Sequence, residues 1–322
     1  MKRRITTVLI AVLSVSLLSA CGTNYKRTFS DYWQQDVSIP IINNVSEVCE
    51  YNVKFTEGSN NTYAVNYRNG KYTTTFSSIT NGETTVYTYT TALSIEVQYT
   101  VGSNSSEWFL DSTESTVTFQ PCKKGLTPIA SRKKMISHSP TAISINKLEN
   151  AYSVHNLVVE TEYDATSKKG TTLIIDNTKT ENNTTKKTFS FVEKDYNYLD
   201  NEQLLFALRC LNPNDSASNR FQVYAPFNSA MQKINVQYGE LSSATFNFAI
   251  DGVVEAKNIA YFPTTISLHS KDTNTGSDKT VWIAKTNSLD NNTYRNVILR
   301  QETPIAFALG TLVYELNSVK FA

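Results

Sequence analysis

Leu93-Ser94-Ile95-Glu96-Val97-Gln98-Tyr99-Thr100-Val101 is the stretch of sequence that decides the fold class. Apolar and polar residues alternate along it without a break, so that one face of the segment is apolar and the other is polar. A period of two is typical of a β-strand with one buried face, whereas an amphipathic helix repeats every 3.6 residues. The segment therefore predicts a strand of an antiparallel sheet with one face on a core.

The same alternation recurs along most of the chain. Further segments with this period lie at 51–55, 63–67, 117–119, 189–191, 234–238, 246–250 and 266–268. Turn-forming pairs such as Asn69-Gly70 and Asp251-Gly252 separate them. Only 18% of the residues are charged, and the abundance of Thr, Ser, Asn and Tyr favours strands and turns. We expect a mainly β fold, a large curved antiparallel sheet packed on one or two short helices, with two β-sandwich domains as the alternative.

One segment departs from the β pattern. Residues 200–211 place Leu204, Leu208 and Leu211 at helical spacing, and Asp200 with Gln203 forms a capping-box pattern at the start. The sequence predicts a helix of about three turns here, lying against the sheet. A second, weaker helical turn is predicted over 227–233.

The amino terminus carries an export signal of a particular kind. A basic start at residues 2–4 precedes an apolar run at residues 5–18, which is too short for a stable membrane span. The final residues, Leu18-Ser19-Ala20-Cys21, match the lipobox of bacterial lipoproteins. This resemblance implies cleavage between Ala20 and Cys21 and a lipid, with palmitate-like acyl chains, on the Cys21 thiol, which would hold the protein on the outer side of the cell membrane.

The remaining sequence then divides into two parts. Residues 21–45 lack a sustained period and are predicted to be a lipidated start and tether. Residues 46–322 are predicted to form a β-rich extracytoplasmic domain, with a possible subdivision in the weakly patterned stretch at 125–151. The precursor has a net charge of +1, which becomes −2 once Lys2, Arg3 and Arg4 are removed. This near-neutral balance argues against nucleic acid as a partner.

Three cysteines remain besides the anchor. Cys49 and Cys122 lie at the ends of strand-like segments, and export permits a disulfide, so these two are the natural candidates to pair. Cys210 lies in the predicted helix, where we expect it to act as a small buried apolar residue rather than as a reactive thiol.

The carboxy-terminal half resembles a known fold family. A strand with Phe189 and Phe191, a helix with the step Ala207-Leu208-Arg209, and closing strands with Trp282 and Gly310 follow one another in an order similar to that of the bacterial lipoprotein carriers LolA and LolB and their periplasmic relatives. The resemblance implies a half-barrel, a curved antiparallel sheet around one or two helices. Its concave face, closed by Leu204, Leu205 and Leu208, would bind acyl chains or another apolar ligand. Alternatively, these leucines simply complete a packed core.

No motif for catalysis, a cofactor or a metal is present. The histidines His138, His155 and His269 are isolated in sequence, without the spacing of a zinc site. We therefore expect a non-enzymatic, membrane-anchored lipoprotein that binds an apolar or amphipathic ligand. One alternative is an adhesion or carbohydrate-binding lipoprotein that uses exposed Tyr and Trp; another is an envelope enzyme that brings these histidines together with carboxylates in one cleft.

Overall fold

The computed structural model describes residues 46–82, 84–122, 125–191, 198–211, 219–225, 230–269, 278–285 and 296–321. Within these residues the protein is mainly β, with seventeen strands in one hydrogen-bonded sheet and one α-helix, α1 (Leu204–Arg209). The prediction of a mainly β fold with a large antiparallel sheet and a short helix is confirmed. The lipobox, the cleavage site at Ala20 and Cys21, and the tether lie outside the described residues.

The strands differ widely in length. They are β1 (Ser46–Glu57), β2 (Ala64–Asn81), β3 (Thr84–Val101), β4 (Asn104–Ser105), β5 (Phe109–Cys122), β6 (Gly125–Pro140), β7 (Tyr152–Asp164), β8 (Lys169–Asp176), β9 (Thr184–Ser190), β10 (Tyr198–Asp200), β11 (Asn219–Ala225), β12 (Ala230–Tyr238), β13 (Ser242–Ile250), β14 (Val253–His269), β15 (Lys279–Ala284), β16 (Ile298–Ile305) and β17 (Gly310–Phe321).

The strand pairings make one continuous sheet. Its path runs β9, β8, β7, β6, β5, β3, β2, β1, β17, β16, β15, β14, β12, β11, β10. Most neighbours are antiparallel; β10 with β11 and β13 with β17 are parallel. Strand β13 pairs with both β14 and β17, so that β13 to β17 form a closed ring of five strands.

The stretch at 125–151 does not separate two sheets. Strand β6 pairs with β5 on one side and with β7 on the other. Both halves of the chain therefore contribute to the same sheet, and the described residues do not form the alternative of two β-sandwich domains.

The two ends of the sheet approach each other around α1. Asp200 of β10 accepts a hydrogen bond from Ser131 of β6, and the Tyr224 hydroxyl of β11 lies 3.0 Å from the Thr172 hydroxyl of β8. The sheet is therefore strongly curved, and α1 lies on its concave side, as a half-barrel requires. Because sheets of many strands twist and curl, such curvature is the expected outcome for a sheet of this size.

The Asn69-Gly70 pair is not a turn, and this prediction is wrong. Both residues lie inside β2, where the register with β3 shifts between Arg68 and Lys71 and Asn69 has a φ of 54°. The pair forms a β-bulge, at which the strand bends and continues. A Cβ atom on Gly70 would lie 2.7 Å from the Val53 Cβ atom, so glycine allows β1 and β2 to approach closely here.

The helical segment is shorter than predicted. Residues Asn201–Gln203 form a 3₁₀ turn, and α1 follows and ends at Arg209. The capping box is confirmed, since the Asp200 carboxylate accepts from the backbone and the Gln203 side chain accepts from the Asp200 N–H. The second predicted helical turn is wrong over its described part, because residues 230–233 belong to β12.

The interior contains one large apolar cluster and two smaller ones. The large cluster lies between α1 and the concave face and includes Phe76, Tyr87, Phe119, Phe206 and Leu208. A second cluster, around Val97 and Tyr99, lies where β2 begins and β3 ends. A third, around Phe189 and Tyr224, joins the two ends of the sheet.

Candidate functional site

Helix α1 is attached to the sheet at its beginning. The Asp200 Oδ1 atom accepts from the Glu202 N–H at 2.8 Å, and the Gln203 Oε1 atom accepts from the Asp200 N–H at 3.0 Å. Gln203 also donates from Nε2 to the Leu126 carbonyl of β6 at 3.2 Å. The capping residues therefore serve twice, because they begin the helix and also fasten it to a strand.

The helix fills the concave face at Phe206. The Phe206 ring is stacked on Phe76 at a centroid distance of 4.5 Å and also contacts Tyr87, Tyr89 and Phe119. None of the Phe206 side chain is exposed. At this position the space on the concave side of the sheet is filled by the protein's own side chains.

The three leucines of the predicted ligand pocket do not share one environment. Leu208 is fully buried in the large apolar cluster. Leu204 and Leu205 pack against that cluster but keep part of their surface accessible. The structure therefore brings Leu208 into the core and leaves Leu204 and Leu205 at its accessible margin.

A buried carboxylate joins the ends of the sheet. Ser131 and Tyr163 each donate a hydrogen bond from the side-chain hydroxyl to the Asp200 Oδ2 atom, at 2.6 Å. Asp200 is completely buried, and this burial raises its pKa to about 6, although both hydroxyl donors favour the ionised form. The result is a carboxyl group that titrates near neutral pH inside the fold.

Replacing Asp200 with asparagine is expected to change how stability depends on pH. The folded-state pKa of about 6 lies above that of an aspartate in an unfolded chain, about 3.9, so the folded state binds the proton more tightly. Below about pH 4 the Asp200 carboxyl group therefore makes its full contribution to the free energy of unfolding, about 3 kcal/mol. This contribution is lost as the pH rises through about 6. The free energy of unfolding, measured for both proteins by urea denaturation across this range, should show a smaller loss for Asp200→Asn.

The exposed Asp164 supplies the control for this measurement. Its pKa is lowered by hydrogen bonds from the Ser167 side chain and from nearby backbone, so Asp164→Asn should not reduce the loss. Identical pH dependence in the native protein and Asp200→Asn would contradict the role assigned to Asp200.

A buried ion pair lies at the far end of α1. Arg209 donates from Nη1 and Nη2 to the two carboxylate oxygens of Glu47, at 2.7 and 2.8 Å, and from Nε to the Asn296 carbonyl at 2.9 Å. The side chains of Arg209 and Glu47 are 4% and 1% exposed. This bidentate pair fastens the end of α1 to β1, and sequence reasoning missed it because the two residues are 162 positions apart.

The cysteines have no reactive environment among the described residues. Cys49 is a free, buried thiol beside the Glu47 carboxylate, and burial raises its pKa well above the ordinary value. Cys49 therefore does not form the predicted disulfide with Cys122, whose side chain lies outside the described residues. Cys210 is fully buried, with its thiol 3.8 Å from the Phe206 carbonyl oxygen, in agreement with its predicted role as a small core residue.

The two histidine side chains that the structure describes, those of His138 and His155, are not brought together. The His138 Nδ1 atom lies 2.7 Å from the Asp111 Oδ1 atom, and the imidazole is stacked on Phe109. The His155 Nε2 atom lies 3.0 Å from the Ser153 Oγ atom, on the opposite face of the β6–β7 ladder from His138. The side chain of His269 lies outside the described residues. Within the described part of the chain, no group of three or more His, Cys, Asp or Glu residues could hold a metal ion.

The outer face of the sheet offers little for carbohydrate binding. No Tyr, Phe or Trp side chain that the structure describes belongs to the exposed class. Trp108 is half-buried beneath the Arg68 guanidinium, which lies 4.0 Å from its ring centroid. Aromatic platforms of the kind that bind sugars need exposed rings, so the described surface lacks this feature.

Comparisons with known proteins give a distant likeness. One solved structure, titled "Crystal Structure of Beta-barrel-like Protein of Domain of Unknown Function DUF1849 from Brucella abortus", superposes with a TM-score of 0.47 at 7% sequence identity, covering 87% of this chain and 99% of that chain. No protein-family model matches the sequence, and no curated protein matches it. Among the described residues, no helix is long and apolar enough to span a membrane.

Proposed function

We propose that the protein is a lipid-anchored extracytoplasmic β-barrel protein that binds an apolar or amphipathic ligand on the concave side of its sheet and catalyses no reaction. The observation that carries the ligand proposal is a set of apolar side chains that pack against the large cluster yet keep accessible surface. These include Phe55, Tyr67, Tyr72, Leu93, Leu204 and Leu205. Apolar surface left accessible beside a packed core favours the binding of an apolar partner.

The helix defines where such a ligand would lie. Phe206 and Leu208 are buried in the large apolar cluster, so a ligand has no access to them. It would instead contact Leu204 and Leu205, which keep accessible surface at the edge of that cluster. The ligand would extend the apolar cluster outward along α1. This arrangement keeps the fold stable without the ligand, because the packed core is already complete.

Extraction of purified protein tests the ligand. The full chain carrying Cys21→Ala, which removes the proposed lipid attachment, should yield co-purifying lipid by mass spectrometry and should bind a fluorescent fatty acid. Leu205→Gln should weaken that binding, because it introduces a polar amide at the proposed contact surface. Leu241→Gln is the matched control, since Leu241 is 47% exposed at the protein surface. A clean extract together with no binding would refute the ligand proposal.

The anchor requires a separate measurement. Metabolic labelling with palmitate should mark the native chain and should disappear in Cys21→Ala, because the lipobox pattern assigns the thioether to that thiol. Cys122→Ala should label normally. Unchanged labelling of Cys21→Ala would refute the anchor while leaving the ligand proposal intact.

A further inference from the structure

One edge of β14 is open over the first half of the strand. Strand β14 (Val253–His269) pairs with β12 and β13 along one edge and with β15 along the other. The pairing with β15 begins only at Tyr261, so no strand that the structure describes covers this second edge before that residue. We call residues 253–259, on this side of β14, the open edge. Residues 253–256 are all exposed, so another molecule can reach them.

The backbone of the open edge presents hydrogen-bonding groups without a neighbouring strand. The Lys285 N–H donates to the Ala260 carbonyl at 2.8 Å, on the β15 side of β14. Successive residues of an antiparallel strand direct their N–H and C=O groups to opposite edges, so Val254, Ala256 and Asn258 direct theirs to the same side as Ala260. Among the described residues, no backbone group bonds to these three on that side. Such a row of groups is a template for a further strand.

The side chains of the open edge combine exposed apolar surface with one acidic and one basic group. Val253 is 60% exposed and Val254 is 68% exposed, although valine is usually a buried residue. Glu255 and Lys257 lie on the same face of the strand, with 3.2 Å between the Glu255 Oε2 atom and the Lys257 Nζ atom. The two opposite charges therefore lie symmetrically on either side of Ala256.

This order of charges makes the open edge complementary to itself. When two copies pair antiparallel about Ala256, Glu255 of each copy lies opposite Lys257 of the other. Each carboxylate then has one ammonium group beside it on its own strand and another across the interface. The same register places Val254 opposite Asn258, so the residues with outward backbone groups form the hydrogen-bonded pairs. The charges and the backbone geometry therefore select the same register.

We infer that the open edge of β14 docks a second copy of this chain, by antiparallel pairing about Ala256 that joins two sheets into one. Both copies contribute the same segment, as a dimer with two-fold symmetry requires. An interface built on one short strand is smaller than that of an obligate dimer, so we expect the dimer to form reversibly. The inference goes beyond the proposed ligand-binding function, because α1 and its leucines take no part in the pairing.

Exchanging the two charges tests the register. Sedimentation equilibrium would measure self-association of the full chain carrying Cys21→Ala, alone and with further substitutions. Glu255→Lys sets lysine opposite lysine, and Lys257→Glu sets glutamate opposite glutamate, so each variant alone should dimerise about tenfold more weakly. An equimolar mixture of the two variants should recover the lost affinity, because every lysine then lies opposite a glutamate. The double exchange Glu255→Lys/Lys257→Glu should also dimerise without loss.

Blocking the backbone gives an independent measurement. Ala256→Pro removes an N–H that points to the open side rather than to β13, so it should abolish the dimer and preserve the fold. Thermal unfolding checks the fold, and Ala256→Glu, which sets two carboxylates opposite each other, replaces the proline variant if that variant unfolds. Lys134→Glu, at an exposed position of β6, is the control and should dimerise normally.

Two results would overturn the inference. One is a chain that stays monomeric at every concentration measured when only Cys21→Ala is present. The other is a dimer that the charge variants and the variant at Ala256 leave unchanged, because such a dimer would use another surface. Neither result bears on the proposed ligand, which is tested by extraction and fatty-acid binding.

Discussion

Replacing Arg209 with methionine is expected to lower the free energy of unfolding by about 3–5 kcal/mol, the range found when one member of a buried ion pair is removed. Methionine keeps the apolar stem of the side chain but leaves the Glu47 carboxylate buried without its cation. The variant also loses the hydrogen bond to the Asn296 carbonyl and the contact of the guanidinium with the Phe206 ring, 5.6 Å away. These losses all act on the end of α1.

Urea denaturation of the native protein and the variant gives this difference directly. The double variant Glu47→Met/Arg209→Met removes both charges and should recover most of the loss, because an apolar pair leaves no buried charge behind. Arg132→Met, which removes one member of the exposed Arg132–Glu160 pair, is the control and should change stability little. A loss no greater for Arg209→Met than for Arg132→Met would refute the importance of the buried pair.

Truncating Phe206 to alanine is expected to cost about 3–5 kcal/mol of unfolding free energy, because the cavity it leaves would be surrounded by packed rings. Phe76 is stacked on this side chain at 4.5 Å, and Phe119 lies at a centroid distance of 5.4 Å. The surrounding strands are fixed by their hydrogen-bonded neighbours, so the site cannot collapse freely around the missing ring. Thermal or chemical unfolding measures the loss.

The controls for this variant separate volume from chemistry. Phe206→Leu keeps much of the apolar volume and should lose less stability than Phe206→Ala. Leu241→Ala, at a position 47% exposed, should have little effect. If alanine and leucine at position 206 cost the same, the helix does not fill the concave face in the way described. Stronger binding of a fluorescent fatty acid by Phe206→Ala would further show that the ring occupies space a ligand could use.

Local patterns were enough to predict the strands and the beginning of the helix. The alternation at 93–101 predicted a strand with one buried face, and Ile95, Val97 and Tyr99 are buried while the residues between them are partly exposed. The capping box formed by Asp200 and Gln203 could likewise be predicted from the sequence, because both residues lie within one helical turn. Such features depend on residues that are near in sequence.

Prediction from sequence fails where one local motif is compatible with two different structures. An Asn-Gly pair adopts positive φ in a hairpin turn and also in a β-bulge. At Asn69 only the pairing of β2 with β3, which continues on both sides of the pair, shows that the motif is a bulge. The predicted helix was too long for a different reason. Leu211 is buried at the correct spacing, but α1 already ends at Arg209, where the bidentate pair with Glu47 holds the chain.

The proposed site could be predicted only in part. Leu204, Leu205 and Leu208 were identified from helical spacing and from the resemblance to LolA and LolB, which itself stays a prediction. Spacing could not distinguish the buried Leu208 from its partly accessible neighbours, because that difference depends on how the sheet curves around α1. Lys133 and Glu202 come from distant segments, so no local pattern could have joined them.

The pairing of β1 with β17 has a consequence for how the chain acquires its structure. The Ser318 hydroxyl donates to the Glu50 carboxylate across 268 positions of sequence, and these two strands pair along almost their whole length. Contacts of such long sequence separation form slowly, because a large loop must close before they contribute. The meander from β2 to β9 can form from hairpins early, whereas β1 has only β2 as a neighbour until β17 arrives. Late completion is compatible with the proposed export across a membrane, because the sheet cannot be completed until nearly all of the chain has been delivered.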